Sequence, residues 1–341
     1  MGYKKVNIFI VLFGLAVAVF GQQEPQFSQY MYTILPFNPG YAGNAGICAS
    51  LHYRQQWAGF VDIDTKTGEK HKTAPRGPLV SIHSPIKALH GGLGLSIYND
   101  ALGYQNDIAV KLAYAFRLNV GGGNLGIGLS GDFLSRTVQK DLYVPGVSGD
   151  PTLLASMGES DMHVDISFGV FYQMQQKWYA GISATQLISA IGGDKDYQPG
   201  ARHLYFTGGY TYEIPSNPDW SLKPSAWIKT DLSMVQIDLS LIADYNNLIW
   251  FGASYRMIDA VAVLIGARPF INFSSAIKGL EVIGSYDITT SKMLNRGASF
   301  KGRSFGGYEF CLKYCFNIVT KPTVYGYKGT RLLGNKPIDY R

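Results

Sequence analysis

The sequence predicts an all-β fold, a single-chain antiparallel β-barrel of fourteen strands that spans a membrane. Residues 163–173 carry apolar side chains at every even position, and strands have this period of two because successive side chains point to opposite faces. Similar segments recur, separated by turn residues, almost to the C-terminus. Only 16% of the residues are charged, against roughly 25% in ordinary soluble domains, and a lipid-facing surface accounts for that deficit.

The first 21 residues are expected to be a cleaved signal peptide. Lys4 and Lys5 precede the apolar stretch 6–20, and polar residues follow directly from Gln22. A membrane anchor is the weaker alternative, because the stretch is shorter than the about 20 residues that span a bilayer. Export followed by amphipathic strands indicates the outer membrane of a Gram-negative bacterium.

No linker divides the rest of the chain, so one barrel domain is expected over residues 46–317. Its strands are expected at 46–55, 77–86, 92–100, 106–118, 123–135, 163–173, 178–186, 203–212, 221–230, 235–244, 248–256, 261–268, 279–286 and 307–316. Fourteen is an even number, as single-chain outer-membrane barrels require, and both termini are then expected in the periplasm. The long connections fall mostly on the extracellular side, at 56–76, 136–162, 187–202 and 287–306.

The alternation also assigns side chains to the two faces of the wall. In the fourth strand the residues expected to face lipid are Ile108, Val110, Leu112, Tyr114, Phe116 and Leu118. Those expected to face the lumen are Asp107, Ala109, Lys111, Ala113 and Arg117. Lumen charges of both signs predict inward salt bridges rather than a single-sign ion filter. Aromatic side chains near strand ends predict interfacial girdles, formed by Trp178, Tyr179, Trp220, Trp250, Tyr286 and Tyr314.

The three cysteines leave two arrangements open. Cys311 and Cys315 lie on one face of the last strand, roughly 13 Å apart along it, which is too far for a bond between them. Cys48 lies near the start of the first strand, and closure of the barrel could bring it opposite Cys315. Three buried thiols are the favoured expectation, and a disulfide between Cys48 and Cys315 is the alternative.

The sequence contains no motif that selects a catalytic or metal-binding chemistry. Gly121-x-Gly123-x-x-Gly126 has the spelling of a dinucleotide site, but a strand follows where a phosphate-binding helix should begin. The six histidines lack metal-ligand spacing. We therefore expect no enzyme activity, no cofactor, no metal and no nucleic-acid partner.

Blocks of sequence along the whole chain resemble those of one known family. The most specific is the opening, QFSQYM at 26–31 followed by PFNPGYAG at 36–43. Others follow in the same order as in the family, YRQQW at 53–57, PLVSIHSP at 78–85, RHLYFTGGY at 202–210, LKPS at 222–225, WFGASYR at 250–256 and GYEFCLKY at 307–314. The family that these blocks resemble is PorP/SprF, outer-membrane proteins of type IX secretion.

The resemblance implies a barrel of the Bacteroidota that binds a large secreted surface protein, such as a gliding adhesin, through its C-terminal sorting domain. Client contacts are expected in the long loops. Candidate partner-binding residues come from the opening blocks and the tail, namely Gln26, Phe27, Ser28, Gln29, Tyr30, Met31, Asn38, Pro39, Tyr41, Lys328 and Arg331. Two other functions compete, a diffusion porin with an open polar lumen and a barrel enzyme with a catalytic group at its rim.

Two segments remain outside the expected strands. Residues 22–45 are rich in aromatic and turn residues, and they are expected either to plug the barrel or to cap it from beneath. Residues 318–341 carry five basic side chains and one acidic one. We expect this tail to bind a periplasmic component of the secretion machinery, and a disordered basic tail is the alternative.

Overall fold

The computed structural model of the chain describes residues 24–44, 46–63, 68, 70–138, 160–175, 177–188, 202–257, 259–271, 276–290 and 305–316. The strands are β1 (Ile47–Gln55), β2 (Arg76–Ile86), β3 (Gly91–Leu102), β4 (Gln105–Val120), β5 (Gly123–Val138), β6 (Ser160–Met174), β7 (Trp178–Thr185), β8 (His203–Tyr210), β9 (Trp220–Thr230), β10 (Val235–Tyr245), β11 (Ile249–Arg256), β12 (Ala260–Ala267), β13 (Leu280–Thr289) and β14 (Gly307–Phe316). Each of the fourteen expected strands is present, with ends that differ by at most three residues.

The strands form a closed up-and-down barrel. Every strand pairs antiparallel with its neighbours in the chain, and β14 pairs with β1 to close the ring. Closure satisfies the backbone hydrogen-bonding groups of both edge strands, which a bilayer cannot do. The predicted fold class and strand number are confirmed. Within the described residues, no helix has the length and apolar character needed to cross a membrane.

The two faces of the wall follow the predicted alternation. In β4 Ile108 and Leu112 are 45% and 53% exposed on the outside, whereas Ala109 and Lys111 are 0% and 3% exposed on the inside. Apolar residues cover the outer face because lipid cannot solvate charge. The inner face is polar, and its charges meet partners described below.

The predicted aromatic girdle is wrong at two positions. Trp250 is 1% exposed and points into the lumen, since it shares its strand parity with the inward-facing Ser254 and Arg256. Its indole N–H donates to the carboxylate of Glu281 at 3.1 Å. Tyr179 also points inward and stacks on Phe171, with ring centroids 5.7 Å apart. Position near a strand end does not decide between lipid and lumen, because parity does.

The connections distinguish the two ends of the barrel. One, here called the long-loop end, carries the connections 56–75, 103–104, 139–159, 186–202, 231–234, 257–259 and 290–306. The other, the short-turn end, carries 87–90, 121–122, 175–177, 211–219, 246–248 and 268–279, together with the start of β1 and the end of β14. The four expected long loops all lie at the long-loop end, although three short turns share it.

Part of the long-loop end is ordered by contacts between its connections. Two backbone hydrogen bonds join Ala58 to the other side of the β1/β14 seam, one with Gly306 at 2.6 Å and one with Phe305 at 2.7 Å. A short hairpin pairs residues Asp62–Ile63 with Lys70–His71. Residues 139–159, 189–201 and 291–304 of the expected client-binding loops lie outside the described residues, as do the expected signal peptide and the tail.

A proline explains one interruption in the sheet. β9 pairs with β8 as far as Gly209 opposite Ser225, and pairing resumes at Tyr212 opposite Leu222. Pro224 lies in the gap between them and has no N–H to donate to the ladder. β8 therefore ends at Tyr210 rather than at residue 212 as expected.

A disulfide joins the first and last strands. Cys48 lies directly opposite Cys315 across the seam, and the two form a bond with Cα atoms 4.1 Å apart. The favoured expectation of three free thiols is therefore wrong, and the alternative is the arrangement found. Cys311 remains a buried free thiol, and its sulfur lies 3.4 Å from Nε2 of His52.

Removal of this disulfide should weaken the barrel without opening it. Cys48→Ala, Cys315→Ala and the double variant should each lose about 2–4 kcal/mol of unfolding free energy, because the unfolded chain gains freedom when the link is absent. Urea titration in detergent micelles measures the loss. The double variant should lose no more than either single one, and a clearly additive loss would show that the two sulfurs act independently.

Candidate functional site in the barrel lumen

Residues 24–44, here called the lumen segment, lie inside the barrel. The segment starts at Glu24, next to Thr185 at the long-loop end of β7. It reaches the short-turn end at Asn44, which contacts Gln173 and Arg117 near the ends of their strands, and the chain then enters β1. Of the two alternatives drawn from the sequence, this path is that of a plug. It is not a cap beneath the barrel.

The carboxylate of Glu309 holds the upper part of the lumen segment. It accepts the backbone N–H groups of Ser28 and Gln29 at 2.7 and 3.0 Å, and it pairs with Arg54 at 3.1 Å. The hydroxyl of Ser28 donates to Asp287 at 2.7 Å. Because Glu309 is only 4% exposed, these bonds replace the water that its charge would otherwise need.

A second buried ion pair fixes the start of the segment. The Glu24 carboxylate pairs with Lys111 at 3.0 Å and accepts the hydroxyl of Tyr205 at 2.6 Å. Lys229 donates to the backbone carbonyl of Glu24 at 2.8 Å, and Lys111 also donates to the carbonyl of Pro36 at 3.1 Å. The predicted inward salt bridges are present, but several of the wall's charges pair with the segment rather than with one another.

Rings fill the middle of the lumen. Phe27, Tyr30 and Phe37 from the segment pack against Tyr205 and Trp227 of the wall, and all five are at most 6% exposed. Ring centroids lie 5.3 Å apart for both Phe37 with Tyr205 and Tyr205 with Trp227. This aromatic layer separates the charged upper lumen from the space below it.

Glycines let the segment approach the wall closely. Residues 38–40 lie directly on Gly126 and Gly128 of β5 and on Gly169 of β6, and a Cβ added at any of the three would come within 3 Å of the segment. Asn38 donates to the carbonyl of Val170 at 3.1 Å, and Arg117 donates to the carbonyl of Ala42 at 2.9 Å. Gly126, one of the glycines in the discounted dinucleotide spelling, therefore serves packing.

Below the aromatic layer lies a cavity of about 450 Å³ at the short-turn end, here called the turn-end cavity. Lys223 and Arg268 face it, and both pair with Asp244, at 2.7 and 3.4 Å. Arg268 also donates to Glu281 at 2.8 Å. Partial burial on its own would lower the pKa of Arg268, but these carboxylates raise it above its usual value.

The structure separates the predicted partner-binding residues into three groups. The side chains of Phe27, Ser28, Gln29, Tyr30, Asn38 and Pro39 are buried between segment and wall. Gln26, Met31 and Tyr41 are partly exposed, and Met31 faces the turn-end cavity. Lys328 and Arg331 lie outside the described residues. An outside partner cannot reach the first group while the segment is in place.

Sequence reasoning misses some of the residues that matter most here. Glu24 is not among the predicted site residues, although it is an isolated acid directly before the opening block and could have indicated an inward ion pair. The closest contacts come from glycines of the wall, which composition alone does not separate from turn glycines. Within the described ranges, no group of three or more His, Cys, Asp or Glu side chains is arranged to hold a metal ion.

Comparison with known proteins agrees with the fold. Among solved structures, the chain is similar to Omp33 of Acinetobacter baumannii (TM-score 0.42, 9% identity, covering 80% of this chain and 100% of that one). It is also similar to the Pseudomonas putida toluene transporter TodX (TM-score 0.45, 9% identity, 82% and 92%) and to a Pseudomonas aeruginosa FadL homologue (TM-score 0.39, 14% identity, 79% and 90%). Such low identities concern the fold alone.

No curated protein matches the chain. Residues 19–314 match the family described as type IX secretion system membrane protein PorP/SprF. That range includes the lumen segment and nearly all of the wall. The chain therefore belongs to the PorP/SprF family of type IX secretion, as a β-barrel of the outer membrane.

Proposed function

We propose that this protein is a non-conducting barrel that binds a large secreted client of the type IX pathway at its long-loop end, and that it acts by binding rather than by catalysis. The observation that carries the proposal is the lumen segment, which fills the upper and middle barrel. A porin needs an open path, and a plugged barrel offers none. The rigid wall then serves to hold loops in place, where recognition is commonly found.

Energetics support a permanent plug. Withdrawal of the segment would leave Lys111, Arg54 and Arg117 buried without some of the partners they now have. Breaking one buried ion pair by loss of a partner costs about 3–5 kcal/mol, and two such pairs anchor or support the segment. This sum is comparable to the whole stability of a typical domain, about 5–15 kcal/mol.

Exposed apolar side chains support recognition at the long-loop end. Among the described residues, the four most exposed large apolar side chains are Met162 (75%), Leu232 (72%), Met234 (67%) and Phe305 (67%). All four lie in or beside connections at that end. Exposed apolar groups rimmed by polar ones commonly mark contact sites for other proteins.

A binding measurement tests this proposal. The double variant Leu232→Asn with Met234→Ser should bind the purified sorting domain of the client at least tenfold more weakly than the wild type. Leu232 has φ 70°, a conformation that asparagine accepts readily, so the turn should remain folded. Val120→Ser, which removes a 48% exposed side chain at the short-turn end, is the matched control and should leave affinity unchanged. Equal affinity for the double variant and the wild type would contradict client recognition at this turn.

A further inference from the structure

The turn-end cavity is a pocket closed at its inner end. The aromatic layer lies above it, and the hydroxyls of Tyr30 and Ser225 meet at 2.9 Å where the two adjoin. Its lower walls come from the connection 211–219, the turn 246–248 and Arg268, all at the short-turn end. The volume of about 450 Å³ lies within the range usual for ligand pockets, about 300–1,000 Å³. The proposed client binding at the opposite end does not use it.

The cations inside the pocket are already neutralised. Lys223 and Arg268 share the carboxylate of Asp244, and Arg268 also binds Glu281 and the carbonyl of Asn247. An incoming anion would have to compete with these carboxylates. The interior therefore does not favour an anionic ligand.

The mouth of the pocket carries acids without partners. The side chains of Glu213 and Asp219 are exposed and line the cavity. In the part of the chain that the structure describes, neither carboxylate has a hydrogen bond or an ion pair. The ring of Tyr210, 49% exposed, lies beside them, and Tyr32 lines the cavity further in. The mouth thus combines free negative charge with aromatic faces.

We propose that the turn-end cavity binds a lysine or arginine side chain of an extended polypeptide segment. Glu213 and Asp219 attract the cation, and the tyrosine rings offer it their faces. The same chemistry already occurs inside the barrel, where the ammonium of Lys313 lies 5.5 Å from the ring centroid of Tyr32. The space exceeds what one side chain fills, so the neighbouring residues of the segment enter with it.

Two sources could supply this basic segment. One is another polypeptide at the short-turn end. The other is residues 317–341 of this chain, which follow β14 at that same end and carry five basic side chains against one acidic one. The chemistry of recognition is the same for both, and the experiment separates them.

The test uses the full chain in a neutral-tail form, in which the five tail bases are replaced by glutamine: Lys321→Gln, Lys328→Gln, Arg331→Gln, Lys336→Gln and Arg341→Gln. The probe is a fluorescent synthetic peptide with the sequence of residues 318–341, and its analogue has the same five bases replaced. Fluorescence anisotropy should show the basic peptide binding at least tenfold more tightly than the analogue. Adding Glu213→Gln and Asp219→Asn to the neutral-tail chain should abolish that difference.

A matched control and a comparison complete the design. Asp231→Asn removes a partly exposed acid at the long-loop end while keeping the oxygen that accepts the N–H groups of Ser233 and Met234, and it should leave peptide binding intact. If the wild-type chain binds the peptide at least tenfold more weakly than the neutral-tail chain, its own tail occupies the cavity. Equal binding shows a pocket open to another polypeptide. The proposal is overturned if the analogue binds as well as the basic peptide, or if loss of both acids has no effect.

Discussion

Gly128→Leu is expected to expel residues 38–40 from the lumen and to turn a closed barrel into a conducting one. A Cβ at this position would lie within 3 Å of three backbone atoms, the C and O of Pro39 and the N of Gly40. Backbone cannot rotate away as a side chain can, so the segment must move as a unit. Overpacking of this kind costs about 3 kcal/mol or more, and steady conductance in a planar bilayer should appear where the wild type shows none.

The control for this prediction lies three residues further along the same strand. A Cβ added at Gly131 would meet no atom of the described surroundings within 4 Å, so Gly131→Ala should stay non-conducting. Gly128→Ala adds a smaller group at the critical position and should give intermittent opening if the larger variant fails to fold. Heat-modifiable mobility in gels reports whether each barrel has formed. A folded Gly128→Leu barrel without conductance would show that the segment does not depend on this contact.

Glu309→Ala should destabilise the folded protein by about 3–5 kcal/mol, because its carboxylate serves wall and plug together. Its loss leaves Arg54 without its ion-pair partner and leaves the N–H groups of Ser28 and Gln29 without their acceptor. The same variant should admit ions, since the upper part of the lumen segment loses its main anchor. Urea titration and bilayer recording measure the two effects separately.

Loss of a carboxylate elsewhere should not reproduce this result. Asp231→Asn removes a partly exposed charge in a turn and should change the unfolding free energy by no more than about 0.5 kcal/mol. Glu309→Gln retains one oxygen that can accept a hydrogen bond, so it should fall between the wild type and Glu309→Ala. If Glu309→Ala matched the Asp231→Asn control, the bonds at the Glu309 carboxylate would contribute little to stability.

The barrel could be predicted because the alternation of a strand is a local property. Residues 163–173 show their two faces without reference to any other strand, and the even strand number followed from counting such segments. The same local reasoning failed for Trp250, which has a partner in Glu281 that lies 31 positions away. Proximity to a strand end suggested lipid, whereas parity and that partner direct the indole inward.

The sequence by itself determined the membrane barrel, its fourteen strands and the family to which it belongs, because periodicity and short blocks of residues are readable along the chain. Only the tertiary structure decided that the segment from Glu24 to Asn44 fills the lumen, and that Cys48 bonds to Cys315. These outcomes depend on contacts between positions far apart in sequence, such as Ser28 with Glu309. Such contacts exist only once the ring has closed, and for that reason no local pattern reports them.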